Sequence, residues 1–443
     1  MLCSALTAAS LISIAVPGNA HAEGLKAVVQ KTIDSNPEIS ALKANRLAID
    51  QELVAAKGRR LPKIDISGGY GYLGRDQTSG QGLSSFDGET YRYQLGGTLS
   101  MPVFDGFERR HEIERQKNRV GSAKLRVLDT VSSLSLQAVR AYIEVQRTSS
   151  VADISRANVR RHRSILDRVS SRVDGGRAAD AEARQARARL QAALASRHQS
   201  EAAYRDAVAL YVTVVGEYPA NLTYINAPFS RLPKTVDAAI EIARSNAPAL
   251  GALEHDLNAA KEEVGVAKAE FYPKVDLEMS ANRRRDENDL FGEQDDFSTM
   301  LVVKKNLFNG GQDRARIAEA RHRADQVYYT LRNAGRLLDK EIRLSWSAIT
   351  SSRLRTIDLE QQLEENNSLV DAYIQQFDLG QRSLMDILDV QNEIFVTEAT
   401  LVNERMIGTF NVYRVFSAMG QLHDVLGLAL PDEAVMDADP SRF

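Results

Sequence analysis

The sequence predicts a mainly α fold that carries a pair of β-hairpins. Three observations lead there. Long stretches of the chain contain no proline, a short β pattern occurs twice, and both belong to one internal duplication. The chain has 443 residues, 43% of them hydrophobic and 26% charged, which is ordinary globular material. Its net charge of −3 gives no bulk attraction to nucleic acid.

The duplication is read from four markers kept in one order. "IDSNPEISAL" (33–42) matches "ARSNAPALGAL" (243–253), and "LPKIDISGGYGYLG" (61–74) matches "YPKVDLEMSANR" (272–283). "VFDGFERR" (103–110) then matches "LFNGGQDR" (307–314), and "DGGRAADAEARQARARL" (174–190) matches "DLGQRSLMDILDVQNEI" (378–394). Pro62 and Pro273 are 211 residues apart, whereas Gly106 and Gly310 are 204 apart. The second copy is therefore seven residues shorter between strand and turn. Repeats decide fold, so this division comes first. The expected organisation is a segment at 1–22, a first repeat at 23–225, a second at 226–430 and a tail at 431–443.

The helices follow from proline and from period. None of the eleven prolines lies between Val103 and Tyr218, or between Lys274 and Leu430. Proline inside a helix costs about 3 kcal/mol, so these gaps permit unbroken helices. Apolar or small residues recur at 127, 131, 134, 138, 141 and 145. In the second copy they recur at 317, 320, 324, 327, 331, 334, 338, 342, 345 and 349. Steps of three and four are a coiled-coil seam. A helix from Phe107 to Val173 would be roughly 100 Å long and must pack along partners of similar length.

The strands follow from alternation. Ile64, Ile66, Tyr70 and Tyr72 share one face; Lys63, Asp65, Ser67, Gly69 and Gly71 share the other. The partner strand, Tyr91 to Met101, sets Tyr91, Tyr93, Leu95, Leu99 and Met101 against Arg92, Gln94, Thr98 and Ser100. In the second copy Val275, Leu277, Met279 and Ala281 oppose Lys274, Asp276, Glu278, Ser280 and Asn282. The last strand, from about Phe297 to Leu307, is less regular. Lys305 falls in register with Thr299, Leu301 and Val303, and Met300 and Val302 fall on the polar face. Such alternation over about ten residues marks membrane-barrel strands, and also half-exposed soluble sheets. Four strands cannot close a barrel, since the smallest have about eight. Three copies would supply twelve and remove the edges that lipid does not tolerate.

Residues 1–22 read as a secretory signal, with an apolar stretch around Leu11 to Val16 and the small-x-small site Ala20-His21-Ala22. The usual basic n-region is missing. Cys3, the only cysteine, lies in that segment, so no disulfide, Cys-metal site or lipid anchor is expected in the exported chain. No later apolar run reaches the roughly 18 residues of a spanning helix. "GYGYLG" (69–74) fits the dinucleotide fingerprint in letters only, because a strand contains it and a polar loop follows. The six later histidines form no His-x-x-x-His pair, and there is no phosphate-binding loop or nucleophile elbow. The expectation is no enzyme, no cofactor and no metal. The arginine-rich run 160–190 lacks the aromatic platforms that nucleic-acid binding needs.

From Gly24 to Leu428 the chain resembles the TolC-type outer-membrane factors. The resemblance rests on the duplication, on "GQRSLMDILDVQNEI" from Gly380 and on "FSAMGQLHDVLGL" (416–428). It implies a homotrimer: long coiled-coil helices forming a trimeric α-barrel in the periplasm, continued by a 12-stranded transmembrane β-barrel, four strands per protomer, in the outer-membrane lipid. Such proteins are passive exit ducts for tripartite efflux pumps and type I secretion systems. Their implied partners are a periplasmic membrane-fusion adaptor and an inner-membrane transporter of ABC or RND type.

The resemblance also implies site residues. Asp386 and Asp389, three apart on one helix face, match the family's pore-facing aspartates at the periplasmic entrance. Threefold symmetry would make them two carboxylate rings that favour cations. Arg382 matches the entrance-closing arginine, with Glu182 as its expected acidic partner and Phe377 where a tyrosine stands in the best-known member. Gly175, Gly176, Arg177, Leu379, Gly380 and Gln381 are expected to form the tips that meet the adaptor. Two other readings stay open at this point. One is a periplasmic coiled-coil adaptor or scaffold of an export complex; the other is a secreted fibrous protein.

Overall fold

The computed structural model describes residues 24–76, 87–287 and 290–435. The expected signal segment therefore lies outside the described residues, as does most of the expected tail. The elements run α1 (Leu25–Ser35), α2 (Pro37–Gly58), β1 (Lys63–Asp76), β2 (Asp87–Phe104), α3 (Glu108–Asp174) and α4 (Asp180–Val215). After a short 3-10 turn come α5 (Val236–Asn246), α6 (Pro248–Ala269), β3 (Lys274–Glu287), β4 (Leu290–Lys304), α7 (Gln312–Asp378) and α8 (Leu384–Ala418). Two short helices, α9 (Leu422–Leu426) and α10 (Asp432–Val435), complete the described chain.

The duplication holds element by element. α1, α2 and β1 recur as α5, α6 and β3 with every start shifted by 211, from Leu25 to Val236 and from Lys63 to Lys274. α3 and α4 recur as α7 and α8 shifted by 204, and α3 and α7 are both 67 residues long. The seven-residue difference is confined to the hairpins. Lys63 pairs with Ser100 and Lys274 with Lys304, so both hairpins keep one register.

Compact packing divides the chain otherwise, into two units that each draw on both repeats. One holds residues 24–36, Ser132–Ala239 and Glu341–Ala429. Here the predicted seam of α3 is the core: Leu134, Ala138, Ala141 and Val145 are all buried, joined by Tyr142, Tyr211, Val412 and Phe416. Ala138 and Ala141 are small and let helix axes come close, while Tyr142, Tyr211 and Phe416 are the bulky members of this core. Tyr142 is fully buried and donates its hydroxyl to the Thr223 carbonyl at 2.7 Å, satisfying its one polar atom.

The other unit holds Pro37–Val131, Ile240–Lys340 and the segment from Leu430. α3 and α6 run antiparallel and interlock by size. A Cβ on Gly265 would come 2.4 Å from His111, and one on Gly121 would come 2.7 Å from His255. Arg115–Glu263 (3.0 Å) and Arg126–Asp256 (2.7 Å) flank that contact. The strand-to-helix turns need left-handed backbone at Gly106 and Gly310, with φ of 68° in both. A Cβ at Gly106 would also strike Tyr272 at 2.6 Å, so both conformation and space require glycine there.

The sheet has the order β1-β2-β3-β4, all antiparallel. Register places Ile64 beside Leu99, Leu99 beside Met279 and Leu277 beside Leu301, so one face is a continuous apolar band. The opposite face carries Asp65, Thr98, Ser280 and Ser298. The irregular last strand resolves in part. β4 ends at Lys304, and Lys305 has left the sheet to donate to the Phe271 carbonyl at 2.5 Å. Met300 and Val302 do lie on the polar face, paired with Glu278 and Asp276. Among the described residues no helix is long and apolar enough to cross a membrane, and no group of metal-binding side chains gathers.

Candidate functional site

The residues singled out by sequence gather at the ends of two helical hairpins, α3–α4 and α7–α8. Both turns are built alike. α3 ends at Asp174 and Gly176 takes φ 67°; α7 ends at Asp378 and Gly380 takes φ 79°. Arg177 N donates to the Arg172 carbonyl and Gln381 N to the Gln376 carbonyl, at 2.8 and 2.9 Å. This bond closes a helix end through a left-handed residue, a conformation glycine adopts without steric cost. Gly175, Gly176, Arg177, Leu379, Gly380 and Gln381 are all exposed, Leu379 by 73%. An apolar side chain so open at a hairpin tip leaves a contact unmade by this chain.

The second tip is capped more firmly than the first. Ser383 is the N-cap of α8: its Oγ accepts from Asp386 N at 3.3 Å and donates to the Asp386 carboxylate at 3.0 Å. The corresponding cap of α4 is Ala179, which offers no side chain to bond. Asp386 thus sits in the first turn of α8, where a carboxylate also favours the helix dipole.

Arginines bind the two hairpins together. Phe377 is 3% exposed and packs among Val169, Leu384, Ile387 and Leu388. The Arg172 guanidinium lies 4.4 Å from the centre of its ring and donates to the Phe377 carbonyl at 2.6 Å. Arg168 pairs with Asp378 at 2.7 Å, Arg161 with Glu398 at 2.8 Å and Arg189 with Asp389 at 3.1 Å. Arg172 therefore supplies a cation–π contact and caps one of the last carbonyls of α7 with one group.

Within this chain the expected gate residues find other neighbours. Arg382 is not joined to Glu182; it pairs with Asp386 at 3.5 Å and stacks on Tyr373 at 3.9 Å. Glu182 occupies the first turn of α4 at the place Asp386 holds in α8, half-buried, and among the described residues no ion pair reaches it. Phe377 buries its ring, since an aromatic side chain without a hydroxyl has no polar atom to satisfy, and it is its carbonyl that accepts from Arg172. Asp386 and Asp389 remain 42% and 58% exposed, but each holds an arginine. Sequence reasoning missed Arg168, Arg172, Arg189 and Tyr373. Arg168 and Arg172 are four apart in the last turns of α3, which is the signal that could have found them.

One titratable group is enclosed nearby. His162 on α3 is 4% exposed and its Nδ1 has no hydrogen-bond partner. Burial pushes its pKa below the ordinary imidazole value, and the charges of Arg189 and Arg161 push it further.

A family model described as outer membrane efflux protein matches residues 28–217 and 239–420. The outer membrane efflux protein BepC of Brucella suis biovar 1 (strain 1330) is 23% identical over 431 residues, covering 96% of this chain and 92% of that protein. The outer membrane protein TolC of Vibrio cholerae serotype O1 (strain ATCC 39315 / El Tor Inaba N16961) is 22% identical over 411 residues, covering 91% and 92%. Among solved structures the channel CusC superposes with a TM-score of 0.79 at 16% identity, over 89% of this chain and 91% of that one.

Proposed function

Because the chain belongs to the outer membrane efflux protein family, we propose that three copies form the exit duct of a tripartite efflux pump or type I secretion system. The four-stranded sheet is one third of a twelve-stranded barrel in the outer membrane, and the helices continue the duct into the periplasm. The duct is passive. It takes cargo from an inner-membrane transporter of ABC or RND type through a periplasmic adaptor, and the hairpin tips are its gate. The observation that carries this reading is the sheet. Its apolar face is open, with Ile66 80%, Tyr70 76% and Leu301 64% exposed, and β1 and β4 each have one unpaired edge among the described residues. An exposed apolar band with open edges is stable in a closed barrel surrounded by lipid and unstable in water.

Within that frame Asp386 and Asp389 line the entrance with Arg382 and Arg189 beside them. Arg172 and Phe377 hold the tips closed, with Arg382 stacked on Tyr373. The exposed turn residues Gly175, Gly176, Arg177, Leu379, Gly380 and Gln381 meet the adaptor. An adaptor needs one helical hairpin between β-rich modules, whereas the described residues of this chain form two helical hairpins and one sheet, and the chain matches an outer-membrane family. Fractionation and mass determination test the proposal. The protein should sediment with outer membrane as a trimer and form ion-conducting pores in planar bilayers. Arg177→Cys and Gln381→Cys should cross-link to the adaptor in an assembled pump. A water-soluble monomer that forms no pores would refute the assignment.

A further inference from the structure

The polar face of β4 carries two residues that do not belong there, Met300 and Val302, and Met300 is 53% exposed. β1 carries glycine at 69 and 71 on its own polar face, and a Cβ at Gly71 would meet nothing within 4 Å. These two anomalies stand on the two open edges of the sheet, β4 and β1.

The duplication says how those edges meet. The β2–β3 contact joins the two repeats inside one chain, and β4 to β1 of the next copy is the same contact between chains. β2 maps onto β4 by adding 204, because both hairpins share one register; β3 maps onto β1 by subtracting 211. In the internal joint Gly97 pairs with Ala281, Gly96 with Asn282 and Thr98 with Ser280. Translated, Leu301 pairs with Tyr70 of the next copy, Met300 with Gly71 and Val302 with Gly69.

The geometry points to a self-complementary seam in which Met300 of one copy fills the open space over Gly71 of the next, with Val302 beside Gly69, which Gln94 of that copy already covers. This rests on the threefold barrel proposed above and adds its register and side-chain fit. The internal joint shows the same device with sizes exchanged. There Asn282 lies over Gly96, so close that a Cβ on Gly96 would come 2.6 Å from Asn282 Oδ1. At the seam the large residue is on β4 and the glycine on β1. The pairing also keeps faces together: Leu301 and Tyr70, both exposed in the lone chain, come side by side on the apolar face. A shift by one residue would turn every apolar side chain inward. A shift by two toward the start of β1 would keep the faces but set Met300 over Gly69, where Gln94 of that copy already stands. The helices agree. Leu125 of α3 rests on Gly251 of α6, where a Cβ would lie 2.9 Å from it. The same translation sets Tyr329, 69% exposed, on Ser40 of the next copy.

Disulfide trapping in outer membranes tests the register, since the sole cysteine lies at position 3. Leu301→Cys with Tyr70→Cys should give covalent trimers. Leu301→Cys with Gly68→Cys or with Tyr72→Cys, two residues off register, should give about tenfold less. Preferred trapping of either shifted pair would overturn the inference. So would no trapping in any pair while amine cross-linking still yields trimers. A chain that amine cross-linking shows as monomer would instead overturn the threefold barrel. A second arm tests the fit. Gly71→Leu, which meets open space in the single chain, should cut trimer yield by about tenfold, and Met300→Gly in the same chain should restore it. Normal trimers from Gly71→Leu, or no rescue by Met300→Gly, would refute the Met300–Gly71 contact.

Discussion

If Asp386 and Asp389 line the entrance as proposed, removing both should reverse the ion preference of the pore, not merely weaken it. Asp386 is paired with Arg382 and Asp389 with Arg189, so these four side chains sum to no net charge in each chain. Asp386→Ala with Asp389→Ala leaves two arginines per chain, and six in a trimer. An ion on the pore axis about 10 Å from each charge feels about 0.4 kcal/mol per arginine in water, or about 2.5 kcal/mol from all six. At 0.1 M salt one Debye length of screening reduces this to about 0.9 kcal/mol, close to a fivefold bias. The same bias excludes cations and admits anions. In planar bilayers the parent pore should be only mildly cation-selective. The double variant should become anion-selective, with the reversal potential changing sign under a salt gradient. Arg382→Ala with Arg189→Ala should move selectivity the other way by a similar factor. A double aspartate variant that stays cation-selective would refute the placement of these pairs at the constriction.

The remaining predictions concern the tips. Phe377→Ala removes a buried ring and the contact of Arg172, at about 3–5 kcal/mol for the cavity and about 0.5–2 kcal/mol for the cation–π contact. Hydrogen exchange at the start of α8 should accelerate by about a hundredfold or more, and spontaneous conductance should rise. His162 has its folded-state pKa depressed by burial and by Arg189 and Arg161. The unfolded chain therefore takes up this proton first as pH falls below the ordinary value of 6.5, and tip stability declines from there down to the folded pKa. His162→Leu should abolish that decline in thermal melts compared between pH 7.5 and 5, and an unchanged slope would refute the role of His162. Ser383→Ala removes the N-cap of α8 and should cost about 1 kcal/mol. Gly380→Ala forces a side chain into left-handed backbone and should cost about 1 kcal/mol as well. Both are read as faster exchange confined to the second tip.

Much of this fold was legible because it rests on periodicity. The α3 seam at Val127, Val131, Leu134, Ala138, Ala141 and Val145 is buried at every position. Hairpin faces follow from alternation at Ile64, Ile66, Leu99 and Leu277, and the two tips from the spacing of Gly176 and Gly380. The last strand misled because Lys305 continues the alternation in letters, although the backbone leaves the sheet after Lys304. The site was legible only in part. Arg382 has acidic candidates in two hairpins, and spacing along the chain does not decide between a local partner and a distant one. The local pair with Asp386 prevails because one helical turn brings the two together at little entropic cost. Arg172 and Phe377 lie 205 residues apart, and nothing in the sequence marks a guanidinium that stacks on a ring and also caps its carbonyl.

The two copies of the helical seam differ in a way that follows from their position. On α7 the positions 317, 324, 327, 331, 334 and 338 are only half-buried, although they continue the same spacing that is fully buried on α3. α3 and α7 have equal length and the same turn geometry at both ends, so helix propensity and capping cannot account for the difference. What differs is the neighbour. α3 has α6 against it, interlocked through His111 on Gly265 and His255 on Gly121. The counterpart of α6 for α7 would be α2, and this chain's own α2 is already packed on α3 through Leu53, Ala56, Ile113 and Val120. A seam that keeps its apolar period while only half covered by its own chain is what the proposed contact with α2 of the next copy would complete. Half-buried residues along α7 and the open edges of β1 and β4 among the described residues both fit the proposed threefold duct, in which the next copy continues the series.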